Sequence, residues 1–175
     1  MLRILQWQCV AAAAALALMP TALSAAEPIK IGVVTPLSGT YAQIGKQVRW
    51  GAELAVKEIN AAGGVGGRVI ELIFEDEEAN PPVAVRKAEK LLQQDKVEFL
   101  TGTVNSGSTL AVGQVAERND RILVTTVSYA PSITGAQCSP NVFRVNANAF
   151  MQSNALTACS LASERADPPS PSRGG

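Results

Sequence analysis

Short apolar runs alternate with amphipathic stretches from Ile29 to about Thr134. Brief apolar runs bounded by glycine, proline and serine are typical of buried strands. Four such runs predict strands at 29–34, 69–74, 97–101 and 122–126.

The stretches between these runs have the spacing of helices with one buried face. Apolar residues in 42–62 recur at steps of three and four, and two further helices are predicted after Pro81 and around Leu110. Four strands alternating with three helices predict an α/β fold, a three-layer, doubly wound parallel sheet.

Two polar or flexible runs invite a binding role and have a simpler interpretation. Gly63-Gly64-Val65-Gly66-Gly67 follows a helix and opens a strand, the reverse of a nucleotide-binding loop, which indicates a tight turn.

The acidic run Glu75-Asp76-Glu77-Glu78 lacks the spacing of a calcium loop. Its carboxylates precede a helix N-terminus, which favours a solvated loop over a cation site.

Composition and charge narrow the functions. The 175 residues carry 15 Lys+Arg and 15 Asp+Glu, scattered along the chain, so nucleic-acid binding is not expected. The chain has 0 His, which removes the commonest general base and metal ligand. We therefore expect no catalytic residues, no metal and no cofactor.

The first 26 residues have the pattern of a secretory signal peptide, cleaved after Ala26. Arg3 precedes the apolar run 10–19, which is about half the ~20 residues that a membrane anchor needs. Export to an oxidising compartment would allow a disulfide between Cys138 and Cys159.

Three loops follow predicted strands, where parallel sheets bind ligands: 38–44, 105–109 and 127–129. The middle loop brings the hydroxyls of Ser106, Ser108 and Thr109 to a helix N-terminus with free amides, which suits a carboxylate. Alternatively, Ser106 only caps the helix.

The chain has two tyrosines, Tyr41 and Tyr129, and both fall on these loops. Aromatic walls suit an apolar or amphiphilic small molecule. Either ring could instead plug its loop.

Several segments together resemble the periplasmic substrate-binding proteins of branched-chain amino-acid ABC transporters, over about residues 28–157. They are IKIGVVTPLSG (29–39), GAELAVKEINAAGGVGG (51–67), Asp76, VEFLTGTVNSGST (97–109) and residues 125–134. The resemblance implies that residues 27–146 form the N-terminal lobe of a type I periplasmic binding protein.

The same resemblance assigns roles to the three loops. It places the ligand carboxylate on Ser106 and its loop, from Asn105 to Thr109. The ligand ammonium would meet Val127 and Tyr129, although the family usually has serine or threonine at the latter position. Tyr41 and Ile44 would line the side-chain pocket.

The implied function is capture of an amino acid or related small carboxylate or amide in the periplasm. The implied partner is an ABC permease in the inner membrane, and the binding protein is expected to be a monomer. The alternative is the ligand-sensing module of a receptor with the same fold; an enzyme is the third hypothesis.

The end of the chain departs from the family pattern. Residues 147–158 resemble the start of a crossover helix, whereas residues 159–175 lack an apolar period and predict a disordered, out-of-frame tail. On this interpretation the second lobe is missing, and we expect millimolar affinity or none.

Overall fold

The computed structural model describes residues 26–166, with side chains to residue 160. The predicted signal peptide, except Ala26, and residues 167–175 of the predicted tail lie outside the described residues. None of the helices within 26–166 has both the length and the hydropathy of a membrane span.

Five parallel strands form one sheet with the order β2-β1-β3-β4-β5. Their bounds are β1 Ile29–Thr35, β2 Ile70–Asp76, β3 Phe99–Gly102, β4 Leu123–Thr125 and β5 Val142–Arg144. The predicted α/β class and parallel sheet are confirmed. The sequence did not predict β5, because three residues are too few to show a period.

Within residues 26–166, four α-helices follow the strands: α1 Ala42–Ala61, α2 Pro81–Gln93, α3 Ser106–Arg118 and α4 Ala149–Ala166. A short 3-10 helix, Pro131–Thr134, was not predicted. Helix α4 continues to Ala166 instead of ending at residue 158, so the expectation of disorder from residue 159 is wrong as far as residue 166. Because the segment has no glycine or proline before Pro168, nothing in its backbone stops the helix earlier.

The main hydrophobic core lies between the sheet and helices α2 and α3. Val34, Leu100 and Leu123 are fully buried there, on three neighbouring strands. They meet the buried faces of the two helices, which consist of Ala84, Ala88, Leu91, Leu92, Val112, Val115 and Ala116. This layer fixes β3 and β4 against the helices whose loops form the candidate site.

Helix α1 covers the opposite face of the sheet. Successive residues of a strand point to opposite faces, so Val33 points away from Val34, and both are fully buried. Arg49 of α1 lies over the ring of Phe74, 4.8 Å from its centroid. The sheet therefore has helices on both faces, as predicted.

Helix α4 lies outside this packed unit. All its described side chains, from residue 149 to 160, are exposed, including Phe150, Met151 and Leu156. Cys159 on this helix and Cys138 before β5 are both free and exposed, so the predicted disulfide is absent. The reason is that an unpacked α4 does not hold Cys159 against the segment that carries Cys138.

The glycine-rich segment is a turn, as its order in the chain indicates. Val65 and Arg68 form an isolated antiparallel bridge across it. Gly64 has φ +76°, and a Cβ there would lie 2.1 Å from the carbonyl oxygen of Arg68. Only glycine fits this close approach.

Candidate functional site

Three loops at the carboxyl edge of the sheet form the candidate site. They follow β1, β3 and β4, which are neighbours in the sheet. The chain runs from β1 outward to β2 and then returns past β1 to β3. The order therefore reverses between β1 and β3, the position where doubly wound sheets open a crevice.

The last residue of β3 and the first residue of the loop after it are both in the left-handed region. Gly102 has φ +98°, and a Cβ there would lie 2.5 Å from the carbonyl oxygen of Val34. Thr103 has φ 57°, an outlying conformation for a β-branched side chain. Its amide donates to the carbonyl oxygen of Val34 at 2.6 Å, which ties this loop to β1.

Thr103 belongs to a buried hydroxyl cluster with Thr109, Thr125 and Ser128, all 0% exposed. The Thr103 hydroxyl lies 3.0 Å from that of Thr125 and 2.9 Å from that of Thr109. The Thr109 hydroxyl also bonds to that of Ser128, which lies 3.2 Å from the carbonyl oxygen of Thr103. The cluster joins both loops to the start of α3. Its hydrogen bonds offset the free-energy cost of the left-handed backbone at Thr103.

The N-cap of α3 is Asn105, and Ser106 is the first residue of the helix, so the alternative that Ser106 is the cap is wrong. The Asn105 side-chain oxygen accepts from the amides of Gly107 at 2.8 Å and Ser108 at 3.2 Å. Two of the amides that were expected to be free are thus occupied. An asparagine directly before the helix is itself a strong cap signal in the sequence.

Ser106 joins the loop after β3 to the loop after β4. Its hydroxyl oxygen accepts a hydrogen bond from the amide of Ala130 at 3.2 Å. The hydroxyl proton is then still available to donate. Ser106 is half-buried, so a ligand at this edge can reach it.

The other two hydroxyls of the predicted carboxylate site are not on the surface. Ser108 and Thr109 are 0% exposed, and the Thr109 hydroxyl is engaged in the buried hydroxyl cluster. The structure thus corrects the expectation that Thr109 touches the ligand: it holds the loops in place instead. Asn105 likewise stabilises the start of α3 as its N-cap.

The remaining predicted site residues lie on the two outer loops. Val127 is half-buried after β4, and Tyr129, two residues later, is 46% exposed. Tyr41, at the N-cap of α1, is 41% exposed, and Ile44 in the first turn is half-buried. Neither tyrosine ring is a buried plug, so both are available as walls.

Asp76, at the end of β2, holds the loop after β1. One of its carboxylate oxygens accepts from the amides of Leu37 at 2.8 Å and Glu78 at 2.9 Å. Burial alone would raise the pKa of Asp76, but bonds from the Ser38 hydroxyl and these amides outweigh burial and lower it. Asp76 is thus engaged by protein donors.

Glu77 is fully buried beneath the start of α3, so the acidic run is not a solvated loop throughout. One carboxyl oxygen accepts from the amide of Val104 at 3.0 Å, and the Ser108 hydroxyl and the Asn105 amide also act on this carboxyl group. Burial raises the pKa of Glu77 despite the bond from Val104. Its burial depends on the tertiary fold and has no local signal.

Arg144, at the end of β5, is a charged residue of this edge that the sequence did not indicate. Its guanidinium donates to the carbonyl oxygen of Ala130 at 2.7 Å and to the Thr134 hydroxyl. Among the side chains described, residues 26–160, no carboxylate pairs with it, and no group of three or more acidic, cysteine or histidine side chains could hold a metal. The edge can therefore recognise an anion by hydrogen bonds and charge.

A family model described as periplasmic binding protein matches residues 28–165. The chain is 39% identical over 116 residues to Leu/Ile/Val-binding protein homolog 3 of Brucella melitensis, a match that covers 66% of this chain and 31% of that protein. Such relatives are named as binding proteins, which supports the expectation that the chain is not an enzyme.

Solved structures agree with this match. A branched-chain amino acid transporter substrate-binding protein from Streptococcus pneumoniae, in complex with isoleucine, superposes with a TM-score of 0.65 at 32% identity, covering 69% of this chain and 34% of that chain. A solute-binding protein of an ABC transporter from R. palustris, in complex with benzoate, gives 0.63 at 37% identity, with 69% and 33% covered. The chain thus spans about a third of the length of these relatives.

Proposed function

This chain belongs to the periplasmic binding protein family, and on that premise we propose that it supplies the carboxylate-binding lobe of a solute receptor for an ABC importer. The solute is a small carboxylate, either an amino acid of the branched-chain type or a related acid. Binding is reversible, and no bond of the solute is made or broken.

The contact between Ser106 and Ala130 carries this proposal. It places a hydroxyl with a free proton at the positive end of α3, at the meeting point of two loops. A carboxylate that accepts from Ser106 there gains a charge-assisted hydrogen bond, which contributes about 1.5–3 kcal/mol.

The relatives suggest which solutes to consider. One neighbour is in complex with isoleucine and another with benzoate, and both molecules carry a carboxylate attached to an apolar body. The half-exposed rings of Tyr41 and Tyr129 offer apolar surface to either body. The shared carboxylate is the part that Ser106 recognises.

The location and partners follow from the same premise. The pattern of residues 1–26 directs export, so the receptor works in the periplasm and passes its solute to a permease of the inner membrane. We expect it to do so as a monomer.

The described residues contact the solute from one side only. The three loops lie at one edge of a single sheet, so a bound molecule keeps much of its surface in water. Good ligand pockets bury roughly 70–90% of a ligand. We therefore expect this chain alone to bind its solute with a dissociation constant of about 1 mM or higher. This constant corresponds to a favourable binding free energy of about 4 kcal/mol or less.

Saturation-transfer NMR on the purified chain tests the proposal, because it detects millimolar binding. Isoleucine or benzoate should receive magnetisation from the protein, and the matched amides that lack the carboxylate, isoleucinamide and benzamide, should receive far less. Equal transfer to acid and amide would contradict recognition through the carboxylate. Micromolar binding would contradict the open, one-sided site.

A further inference from the structure

Glu77 lies beneath the segment that leads into Ser106. Its side chain is fully buried, and one carboxyl oxygen accepts from the amide of Val104 at 3.0 Å. The amide of Asn105 and the hydroxyl of Ser108 also act on this carboxyl group. Glu77 is therefore an acceptor for the loop after β3 from inside the protein.

The backbone of Glu77 ties this residue to the neighbouring elements. Its amide donates to the carbonyl oxygen of Thr35, at the end of β1, at 3.3 Å. Its carbonyl oxygen accepts at 2.8 Å from the amide of Asn80, the N-cap of α2. Glu77 is thus held in a fixed place between β1, α2 and the start of α3.

The amides at the start of α3 are divided between acceptors of the protein and the site. Glu77 engages the amides of Val104 and Asn105, and the Asn105 side chain engages two amides farther into the helix. Within the described residues, the amide of Ser106 has no protein acceptor. An anion bound at Ser106 and the carboxylate of Glu77 would therefore contact one segment of three residues, 104–106.

The two anions are close enough to interact. The Val104 amide lies 3.0 Å from the Glu77 oxygen and two residues span at most ~7 Å, so the Ser106 amide is within about 10 Å of that oxygen. This distance is close to the Debye length at physiological ionic strength, about 8 Å, and a buried charge is screened less than an exposed one.

The charged side chains next to Glu77 are acidic. Asp76 precedes it and repels its ionised form, which raises the pKa of Glu77. The pKa of Asp76 itself is lowered, so this neighbour stays ionised above about pH 4. Glu78 follows Glu77 and is exposed. Neither neighbour neutralises the buried carboxylate.

The cations of the packed elements do not neutralise it either. Farther along α2, Lys87 and Lys90 pair with Glu75, and Arg86 is exposed. The parts of β1, α2, β3 and α3 nearest to Glu77 have no charged side chains; they are residues 31–37, 80–85 and 99–116. The amides and the hydroxyl of the loop after β3 are thus the groups that stabilise its negative charge.

We propose that Glu77 is a positioning residue of the solute loop, and that its carboxyl group takes up a proton from the solvent when a carboxylate solute binds at Ser106. With Glu77 ionised, two negative charges share the positive end of α3, whereas with Glu77 protonated the solute alone occupies it. Affinity for the solute therefore rises as the solution becomes more acidic. This inference rests on the proposed function and adds a regulation of the same site.

Burial opens a pH range in which this coupling can act. It raises the pKa of Glu77 above the ordinary 4.5, although the bonds from the loop oppose the rise. A carboxylic acid in water has a pKa of about 4. As the pH falls, Glu77 therefore takes up its proton while the solute is still ionised.

Titrations of the purified chain with sodium benzoate at about pH 5 and pH 7.5 test the inference, because benzoate stays ionised over this range. The ionic strength is held constant, and amide chemical shifts give the dissociation constant. We expect a constant about threefold lower, or less, at the acidic pH. The ¹³C shift of the Glu77 carboxyl group gives its pKa, which saturating benzoate should raise, because proton and solute binding are reciprocally linked.

Two variants assign the pH dependence to Glu77. Glu77→Gln removes the titrating group and keeps an oxygen that can accept from Val104, so its benzoate affinity should be equal at the two pH values. Glu78→Gln changes the exposed acid next along the chain and is the matched control, which should keep the wild-type dependence. If Glu77 had a structural role alone, Glu77→Gln would alter the affinity equally at both pH values and leave the dependence in place.

Equal wild-type constants at the two pH values would overturn the inference and leave the proposed function standing. A Glu77 pKa that benzoate does not raise, or a pH dependence that persists in Glu77→Gln, would overturn it as well. If Glu77→Gln does not fold, judged by its amide spectrum, the carboxyl titration of the wild type decides. Absence of benzoate binding at both pH values would overturn the inference, and absence of isoleucine binding too would overturn the proposed function.

Discussion

The hydroxyl of Ser106 accepts a hydrogen bond from the amide of Ala130, 3.2 Å away and 24 residues later in the chain. This bond holds the start of α3 against the loop after β4, so the two loops form one surface. It also leaves the Ser106 proton free for a ligand.

The first prediction concerns this hydroxyl. Ser106→Ala should weaken benzoate binding by tenfold or more, because it removes a bond to a charged acceptor that contributes about 1.5–3 kcal/mol. Amide-shift titration measures the dissociation constant. Ser153→Ala, on the exposed helix α4, is the control and should bind like the wild type. Equal affinity of both variants would exclude Ser106 as a contact.

The second prediction compares two glycines of α1. A Cβ at Gly45 would lie 1.7 Å from the carbonyl oxygen of Pro36, whereas a Cβ at Gly51 meets nothing within 4 Å. Gly45→Ala should therefore lower the free energy of unfolding by about 3 kcal/mol. Gly51→Ala should raise it by roughly 0.5–1 kcal/mol, because alanine favours the helix. Urea denaturation measures both, and a Gly45→Ala protein as stable as wild type would disprove the close contact.

The third prediction concerns pH and two neighbouring acids. Because the pKa of Glu77 is raised above 4.5, its favourable contribution is complete at low pH and is lost as the pH rises through the folded-state pKa. The free energy of unfolding of the wild type relative to Glu77→Gln should therefore increase as the pH falls from 7 toward 4.

Asp76 should show the opposite sign. Its pKa is below 3.8, so its contribution is present above that value and is lost as the pH falls through the folded-state pKa. The advantage of the wild type over Asp76→Asn should shrink below about pH 4. Thermal melting between pH 7 and 3 gives both curves, and pH profiles that run parallel for wild type and variants would refute these assignments.

The fourth prediction concerns the buried hydroxyl cluster. Thr103→Val keeps the shape and the backbone strain but removes the hydroxyl that contacts Thr109 and Thr125. We expect a loss of about 2–3 kcal/mol in the free energy of unfolding, because buried partners are left unsatisfied. Thr40→Val, in an exposed turn, should change it by less than about 0.5 kcal/mol. A loss as small at Thr103 would show that the cluster does not hold the loops.

Much of the fold could be predicted from the sequence, since its long strands and helices carry clear periods. The run 29–34 is apolar because β1 is covered on both faces, and the stripe of α2 meets the core as its spacing indicates. Strand β5 has three residues and no period, so it was missed. The end of α4 was placed too early because an irregular apolar pattern does not by itself stop a helix.

The candidate site was predicted less completely, because tertiary contacts without a local sequence pattern place several of its residues. Ser106 and Tyr129 lie on loops that follow predicted strands. Because parallel sheets bind ligands at the carboxyl ends of their strands, the sequence alone indicates both residues. The burial of Thr109 depends on Thr103 and Ser128, which approach it through the tertiary fold. Arg144 reaches the site through β5, and no local pattern marks it.

Amide chemical shifts recorded across the chain during a benzoate titration locate the bound carboxylate. We expect the largest changes on Ser106, Val127 and Ala130 at the carboxyl edge of the sheet. Lys30, Lys96 and Glu98 at the opposite edge should not change. Changes confined to the opposite edge would contradict binding at Ser106. So would the absence of any change at a benzoate concentration 50 times the dissociation constant of ~1 mM expected here.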